Sequence, residues 1–373
     1  MKIAHIAPPW IVIPPKNYGG TEAVIYNLVE AQVAQGHDVT LFASGDSKTS
    51  AKLVSFFPRA LLDEGVPWSG HPKAYYHLHM AVQQINEQNF DIVHTHLSSS
   101  SDIYLFPLVA SLATPHITTL HSMFPFDRQG GRSGAADNYY VKEWASNLPT
   151  VAISESARAQ VPYPLNFVGV VHHGLLLNQY HPPLIRFKPH GDYFAWIGRF
   201  SPEKGAHLAI EAAKRASVPL VLGGTIDRAS KQATSYFYDT IKPQIDDEQI
   251  RYRGPVNMRQ KVNMLSQARG FLNPIEWEEP FGMVMIEAMA MGCPVISFAR
   301  GAAPEIIVHG ETGFLVQNID EMIEYIPRVG DINRDTVRQH VEDHFSARVM
   351  AERYAQVYDK VINSSKGSLS LQR

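Results

Sequence analysis

The sequence predicts an α/β protein made of two doubly wound, Rossmann-like domains facing a central cleft. Three observations carry this. The chain has 373 residues, against roughly 100 to 200 for a typical domain, so the length favours two cores. Short apolar runs alternate with longer amphipathic stretches almost from end to end, the pattern of parallel sheets with crossover helices rather than of hairpins. That alternation is interrupted by Tyr180–Gly191 (YHPPLIRFKPHG), which has three prolines and no periodicity and reads as a linker. The expected division is a domain over 1–180, a linker over 181–191, a second domain over 192–345, and a C-terminal helix with a frayed polar tail over 346–373 that can pack on either domain.

In the first domain the candidate strands are Lys2–Ala7, Asp38–Ala43, Phe90–His94, His116–Leu120, Thr150–Ile153 and Gly169–His172. Thr21–Gln35 has apolar residues at Val24, Ile25, Leu28, Val29 and Val33, the spacing of a helix with one buried face, and Gly36 stops it. In the second domain the strands are Tyr193–Ile197, Leu220–Leu222, Ile250–Tyr252, Gly270–Asn273 and Pro294–Phe298. Helices are expected near Ala206–Ala216, Met258–Gln267 and Met283–Met291, and a last one over Ser346–Ile362. Ligands of open α/β sheets bind beyond the C-terminal ends of the strands.

Composition narrows the function classes. Hydrophobic residues at 45% and charged residues at 18% describe a packed chain, not a disordered one. Lys plus Arg at 33 against Asp plus Glu at 36 gives a net charge of -3. No global basic field is available for nucleic acid or an anionic membrane, so membrane association is possible but not indicated. The single cysteine, Cys293, excludes an intrachain disulfide. With no secretory leader in the first residues and no apolar window near 18 residues long, it points to a cytoplasmic, reducing location.

The most informative segment is Glu276–Pro294 (EWEEPFGMVMIEAMAMGCP). A helix starting around Pro280 or Phe281 would carry Pro in its first turn and end at Gly292. Its interior is apolar except for Glu287, and a buried carboxylate needs a partner; an ion pair with an Arg is the plain structural reading. Glu279 precedes the helix beside Gly282, whose missing side chain opens the first-turn N–H groups to an anion. In Gly198–Gly205 (GRFSPEKG), a strand end turning into a helix, Arg199 and Lys204 suit a diphosphate; an ordinary solvated turn is the alternative. Gly19-Gly20 at the first helix start let backbone N–H groups approach a phosphate or a sugar, or simply make a tight turn. There is no G-x-G-x-x-G after the first strand, against a nicotinamide or flavin site.

Glu279 and Glu287, with seven residues between them and followed by AMAMGCPVI, resemble the Glu-x7-Glu signature of family 4 retaining glycosyltransferases with the GT-B fold. The resemblance spans nearly the whole chain. Its other landmarks are Gly19-Gly20, Asp91–His96 (DIVHTH), Thr119-Leu120-His121, Ala152–Ser156 (AISES), His173-Gly174, Gly198–Gly205 and Gly310–Val316 (GETGFLV), in the family's order.

The resemblance implies transfer of a hexosyl group, with retention at the anomeric carbon, from a nucleotide-diphosphate sugar. UDP-sugars are favoured over GDP-sugars, and the acceptor is a glycan or a small soluble molecule. It implies catalytic roles for His121, Arg199, Lys204 and Glu279. Arg199 and Lys204 would hold the leaving diphosphate, Glu279 the 3- and 4-hydroxyls of the donor sugar, and Glu287 the ribose. His121 would contact the transferred sugar near the reacting carbon. Gly19, Gly20, Phe281, Gly282 and Met283 would line the donor site, and Val256, in the turn Arg253–Val256, would meet the base.

No cofactor is implied beyond the nucleotide-sugar co-substrate, and no residue stands out as a nucleophile, so same-face attack and a covalent intermediate both stay open. No metal is expected. The chain has no Asp-x-Asp, Asp246-Asp247-Glu248 reads as surface charge, and His94 and His96, an H-x-H pair, read as structural or cleft-edge residues. Acceptor-side candidates are Pro8–Asn17 and Met123–Tyr140, with Phe124, Phe126, Tyr139 and Tyr140 able to stack on a sugar. Two other classes remain: a different nucleotide-sugar enzyme on this fold, such as an epimerase, and a non-catalytic nucleotide-sugar-binding protein. A phosphorylase would need a Lys-bound pyridoxal phosphate, for which no motif is present.

Overall fold

The structure, a computed structural model, describes residues 1–16, 19–98, 105–122, 145–162, 164–181, 191–228 and 230–370. The candidate acceptor segment 123–140 and the linker residues 182–190 lie outside these. The chain divides into two compact units: Met1–Gly174 with Ala347–Arg373, and Leu175–Ser346. The division therefore falls at Gly174, ahead of the expected end of the first domain at 180. It falls there because Leu175 N donates to Phe345 O (2.8 Å) and Leu175 bridges Ser346 in parallel, so the chain enters and leaves the second unit side by side.

The first unit holds a parallel seven-stranded sheet: β1 (Lys2–Ile6), β2 (Asp38–Phe42), β3 (Lys52–Val54), β4 (Ile92–Leu97), β5 (His116–Leu120), β6 (Thr150–Ala152) and β7 (Phe167–Val170), in the order β3-β2-β1-β4-β5-β6-β7. Ile3, Ile6, Ile92, Val93 and Ile117 are fully buried, as expected for strands covered on both faces. β4 runs to Leu97 rather than stopping at His94, so both His94 and His96 are interior to a strand. β7 begins two residues before Gly169 and ends at Val170 rather than at His172. The helix Gly20–Ala34 ends as expected: Gly36 takes a left-handed φ of 83°, and His37 N reaches Gln32 O (3.1 Å).

A further helix, His71–Asn86, stands between β3 and β4, where none was singled out. The last helix, Ala347–Ser370, continues past Ile362 into the segment expected to fray. It belongs to the first unit. It packs so closely on β7 that a Cβ at Gly169 would lie 2.9 Å from Val357, and Lys360 Nζ donates to Val168 O (3.2 Å).

The second unit holds a parallel six-stranded sheet: β8 (Phe194–Arg199), β9 (Leu220–Thr225), β10 (Ile250–Tyr252), β11 (Gly270–Asn273), β12 (Val295–Phe298) and β13 (Gly313–Val316), in the order β10-β9-β8-β11-β12-β13. β8 extends two residues beyond the expected Ile197. Arg199 is thus the last residue of a strand rather than part of a turn. Cys293 is fully buried between the helix Met283–Ala290 and β12, and burial pushes its thiol up to about 11. Among the described residues no helix is long and apolar enough to cross a membrane.

Candidate active site

In the second unit the structure brings two of the expected site residues, Lys204 and Glu279, into contact. Arg199 ends β8, and the chain then turns through Ser201 and the short helix Pro202–Lys204 to Gly205. Gly205 is left-handed (φ 70°), and a Cβ there would lie 1.9 Å from Pro274 O, so only glycine lets this turn lie against the end of β11. Lys204 Nζ donates to Glu279 Oε2, and Trp277 Nε1 donates to the same oxygen (3.0 Å). The ammonium also lies 5.0 Å from the centre of the Trp277 ring. Lys204 and Glu279 are thus one ion pair, with side chains 21% and 15% exposed.

The loop carrying Glu279 is held from behind by the turn after β12. Ala302 N donates to Glu279 O (2.9 Å), Gly301 N to Glu278 Oε2 (2.7 Å), and an Arg300 guanidinium nitrogen to Glu276 O (2.7 Å). A Cβ on Gly301 (φ 56°) would sit 2.3 Å from Glu279 O, so this close seat requires glycine. Arg300 and Gly301 were not among the sequence candidates.

The helix after Glu279 corrects an expectation. It spans Met283–Ala290, not a start at Pro280 or Phe281, because Gly282 before it is left-handed (φ 88°). Pro280 therefore sits in the preceding loop. No side chain caps this helix start, and a Cβ at Gly282 would fall 2.6 Å from Met285 Cε and 3.3 Å from Glu279 Cγ. Phe281 is buried, while Met283 and Val284 are half-buried.

Glu287 is buried and partnered, but not by an arginine. Lys261 Nζ lies 2.6 Å from its Oε1, and the Tyr180 hydroxyl donates to the same oxygen (3.0 Å). Burial, and next the Glu287 carboxylate, push the Tyr180 phenol well above 10, so it stays a neutral donor. Neither Lys261 nor Tyr180 was found from sequence. Lys261 lies on a polar helix 26 residues earlier, and Tyr180 was read as the start of the linker. Val256 packs on Gly223, whose added Cβ would be 3.2 Å from it, and Arg253 is exposed. Asp246, Asp247 and Glu248 are exposed.

In the first unit, Gly19 precedes the helix Gly20–Ala34 without a side-chain cap. A Cβ at Gly19 would lie 2.7 Å from Pro15, whereas one at Gly20 would meet nothing within 4 Å. His121 follows β5, its N–H donating to Leu97 O (2.9 Å), and its ring stacks on His173 (5.2 Å, 21°). Burial lowers His121 to about 3, so it is neutral at pH 7. His5, His94 and His96 have ring nitrogens within 4.8 Å of one another, a spacing that could hold a metal ion. All six of these nitrogens are already engaged in hydrogen bonds of 2.7–3.0 Å to Gln32, Tyr358, Thr119, His121 and one another.

Two Rossmann-like units, with Lys204 and Glu279 paired beyond the C-terminal ends of β8 and β11 in the second, have the architecture of the GT-B glycosyltransferases. Residues 185–336 match the family model of glycosyl transferases group 1, and residues 18–162 match that of Glycosyltransferase Family 4. The chain belongs to this glycosyltransferase group. It is 25% identical to alpha-maltose-1-phosphate synthase of Mycolicibacterium smegmatis over 395 residues, covering 93% of this chain and 97% of that one. Its fold resembles sucrose-phosphate synthase of Thermosynechococcus elongatus (TM-score 0.75, 18% identity, 98% of this chain and 100% of that one). It likewise resembles Anabaena HepE in complex with UDP and glucose (TM-score 0.70, 16% identity, 96% and 100%).

Proposed function

We propose that this glycosyltransferase is a metal-independent, retaining hexosyltransferase that uses a nucleotide-diphosphate sugar, with UDP-sugars favoured, and a glycan or small soluble acceptor. The observation that carries the reading is the pair of ion pairs in the second unit, Lys204 with Glu279 and Lys261 with Glu287. Each joins a glutamate of the Glu-x7-Glu pattern to an ammonium. A donor would draw the first pair apart, its diphosphate taking Lys204 and Arg199 while sugar hydroxyls take Glu279. Glu287, held by Lys261 and Tyr180, would present its remaining acceptor capacity to the ribose.

In the overall exchange the bond between the anomeric carbon and the diphosphate oxygen is replaced by one to the acceptor oxygen with configuration kept, by same-face attack or through a covalent intermediate. The acceptor hydroxyl's proton is released with the nucleoside diphosphate. Two cations and a helix start at Gly282 stabilise the leaving charge, so no metal is required. Phe281, Gly282, Met283 and Val256 complete the donor surface in this reading. Gly19, Gly20 and His121 belong to the first unit, and their part in this reading rests on the family resemblance. The complex of Anabaena HepE with UDP and glucose supports the choice of donor.

The test is hydrolysis of a panel of UDP-, GDP- and ADP-sugars, with the anomer of the released sugar read by NMR before it mutarotates. Release of the retained anomer from a UDP-sugar is expected. Release of the inverted anomer would overturn the retaining assignment, and epimerised donor would favour an epimerase. Nucleotide binding without turnover of any donor or acceptor would favour a binding protein.

A further inference from the structure

The core of the first unit contains a line of hydrogen-bonded side chains that starts at Gln32 on the helix Gly20–Ala34. Gln32 is fully buried. Its Oε1 lies 2.7 Å from His5 Nε2, and its Nε2 donates to the Tyr358 hydroxyl (3.0 Å). His5 Nδ1 lies 3.0 Å from His96 Nε2, and His96 Nδ1 lies 2.9 Å from His121 Nε2. A second arm runs from the Tyr358 hydroxyl to His94 Nδ1 (2.7 Å) and from His94 Nε2 to Thr119 Oγ1 (2.7 Å).

A neutral imidazole has one N–H and one lone pair. Burial lowers His5 to about 4 and His121 to about 3 and holds His94 and His96 well below 6.5, so each ring carries one proton at pH 7. One bond then fixes the direction of all the others. The Gln32 carbonyl oxygen can only accept, so His5 Nε2 carries the proton and His5 Nδ1 accepts. His96 must donate to it through Nε2, and His121 must donate to His96 through its own Nε2. His121 Nδ1 is left as a bare lone pair, buried and without a hydrogen-bond partner among the described residues. The first arm donates toward Gln32 and the second donates away from it, because the Gln32 amide N–H donates to the Tyr358 oxygen and frees the Tyr358 proton for His94. A reversed amide would reverse both arms and leave His121 with an N–H at Nδ1.

We propose that Gln32 is a positioning residue which, through His5 and His96, sets His121 in the Nε2-protonated form and so offers its Nδ1 lone pair to a hydroxyl of the transferred sugar. The contact with sugar rests on the donor-site reading of His121 given above; the control of its tautomer does not. A buried acceptor with no partner is costly, and His121 stands at the C-terminal end of β5, the edge at which ligands of parallel sheets bind.

The experiment is long-range 1H–15N correlation NMR of the ligand-free full chain labelled at histidine, with the His121 signals assigned by their loss in His121→Gln. Wild type is expected to show His121 protonated at Nε2 and bare at Nδ1. Gln32→Met is expected to give a tautomer mixture, and Gln32→Glu, whose carboxylate still accepts from His5, to restore the wild-type pattern. A wild-type His121 protonated at Nδ1, or a Gln32→Met spectrum matching wild type, overturns the relay. If Gln32→Met does not fold, the wild-type spectrum decides. With the donor selected by the hydrolysis panel, kcat should fall about tenfold in Gln32→Met, the worth of about one hydrogen bond, and recover in Gln32→Glu. A changed tautomer with unchanged kcat would uphold the relay and remove His121 from the donor site, so the two readings fail separately.

Discussion

The two units handle buried polarity in opposite ways. In the first, His5, His77, His94, His96, His121 and His173 are all buried, and their rings are kept neutral by that burial. His5, His77, His94, His96 and His121 bond to one another, to Gln32, Thr119 and Tyr358, or to a backbone carbonyl, as His77 does to Ala7 O (3.0 Å), and His173 stacks on His121. In the second, the strands bury almost wholly apolar side chains, and the polarity that matters is ionic, paired and partly exposed: Lys204 with Glu279, Lys261 with Glu287. Neutral networks tolerate burial because no charge has to leave water, whereas ion pairs keep their value only where some solvation remains. A unit that holds buried groups in one protonation state and a unit that keeps ion pairs near its surface therefore have different cores.

The widest consequence of that difference is in acid. A histidine whose folded pKa is depressed stabilises the fold above its unfolded value, 6.5, and that stability is lost as pH falls toward the folded value. With folded values near 4, His5 and His77 should each cost about 3 kcal/mol by pH 4. His340 is the histidine of the second unit shifted in this direction among the described residues. Hydrogen exchange at pH 4.5, corrected for intrinsic rates, should show amides of β1, β4 and β5 opening before those of β11 and β12. The reverse order would break the comparison.

Next in size is the loss of ionic grip. Arg199→Ala and Lys204→Ala should each lower kcat roughly a hundredfold, as loss of a preorganised charge partner does, with a smaller change in donor KM. An effect confined to KM would count against leaving-group stabilisation. Glu287→Gln should weaken UDP binding about tenfold, the scale of a hydrogen bond to a charged group, while the protein stays folded; calorimetry with unchanged affinity would remove the ribose role. The smallest expected effect is that of metal removal. Dialysis against a chelator should leave most transfer activity, and a large loss restored by Mn²⁺ or Mg²⁺ would mean that the cations of the second unit do not suffice.

How much of this was legible in sequence differs between the units in the same way. The strands β1, β2, β5, β11 and β12 were read closely, because continuous apolar runs signal strands buried on both faces. Glu279, Glu287, Arg199 and Lys204 stood out as polar residues interrupting apolar or turn patterns. The helix His71–Asn86 did not, although its buried positions Ala74, His77, Leu78, Ala81, Val82 and Ile85 follow helical spacing. Its chemistry is inverted: His77 is fully buried, while Tyr75 and Tyr76 are 42% and 46% exposed. The three-residue strand β3 is too short to carry a pattern. Lys261 and the line from Gln32 to His121 were invisible for another reason: their partners lie 25 to 91 residues apart and meet only in the folded chain, His5 and His96 across the pairing of β1 with β4, and Lys261 and Glu287 between two helices.

The return of the chain to its first unit has a consequence for biosynthesis. Residues 175–346 are contiguous and closed by the Leu175–Ser346 bridge, so this inserted unit can complete itself while the chain is still being made. The unit that begins the chain cannot, because Tyr354 and Tyr358 supply hydroxyls to Thr119, His94 and Gln32. This topology predicts the reverse of the usual order of vectorial folding, first made and first folded. Until the final helix leaves the ribosome, the histidine core waits without its closing partners, and a chain cut short before residue 354 would damage the end it has already made.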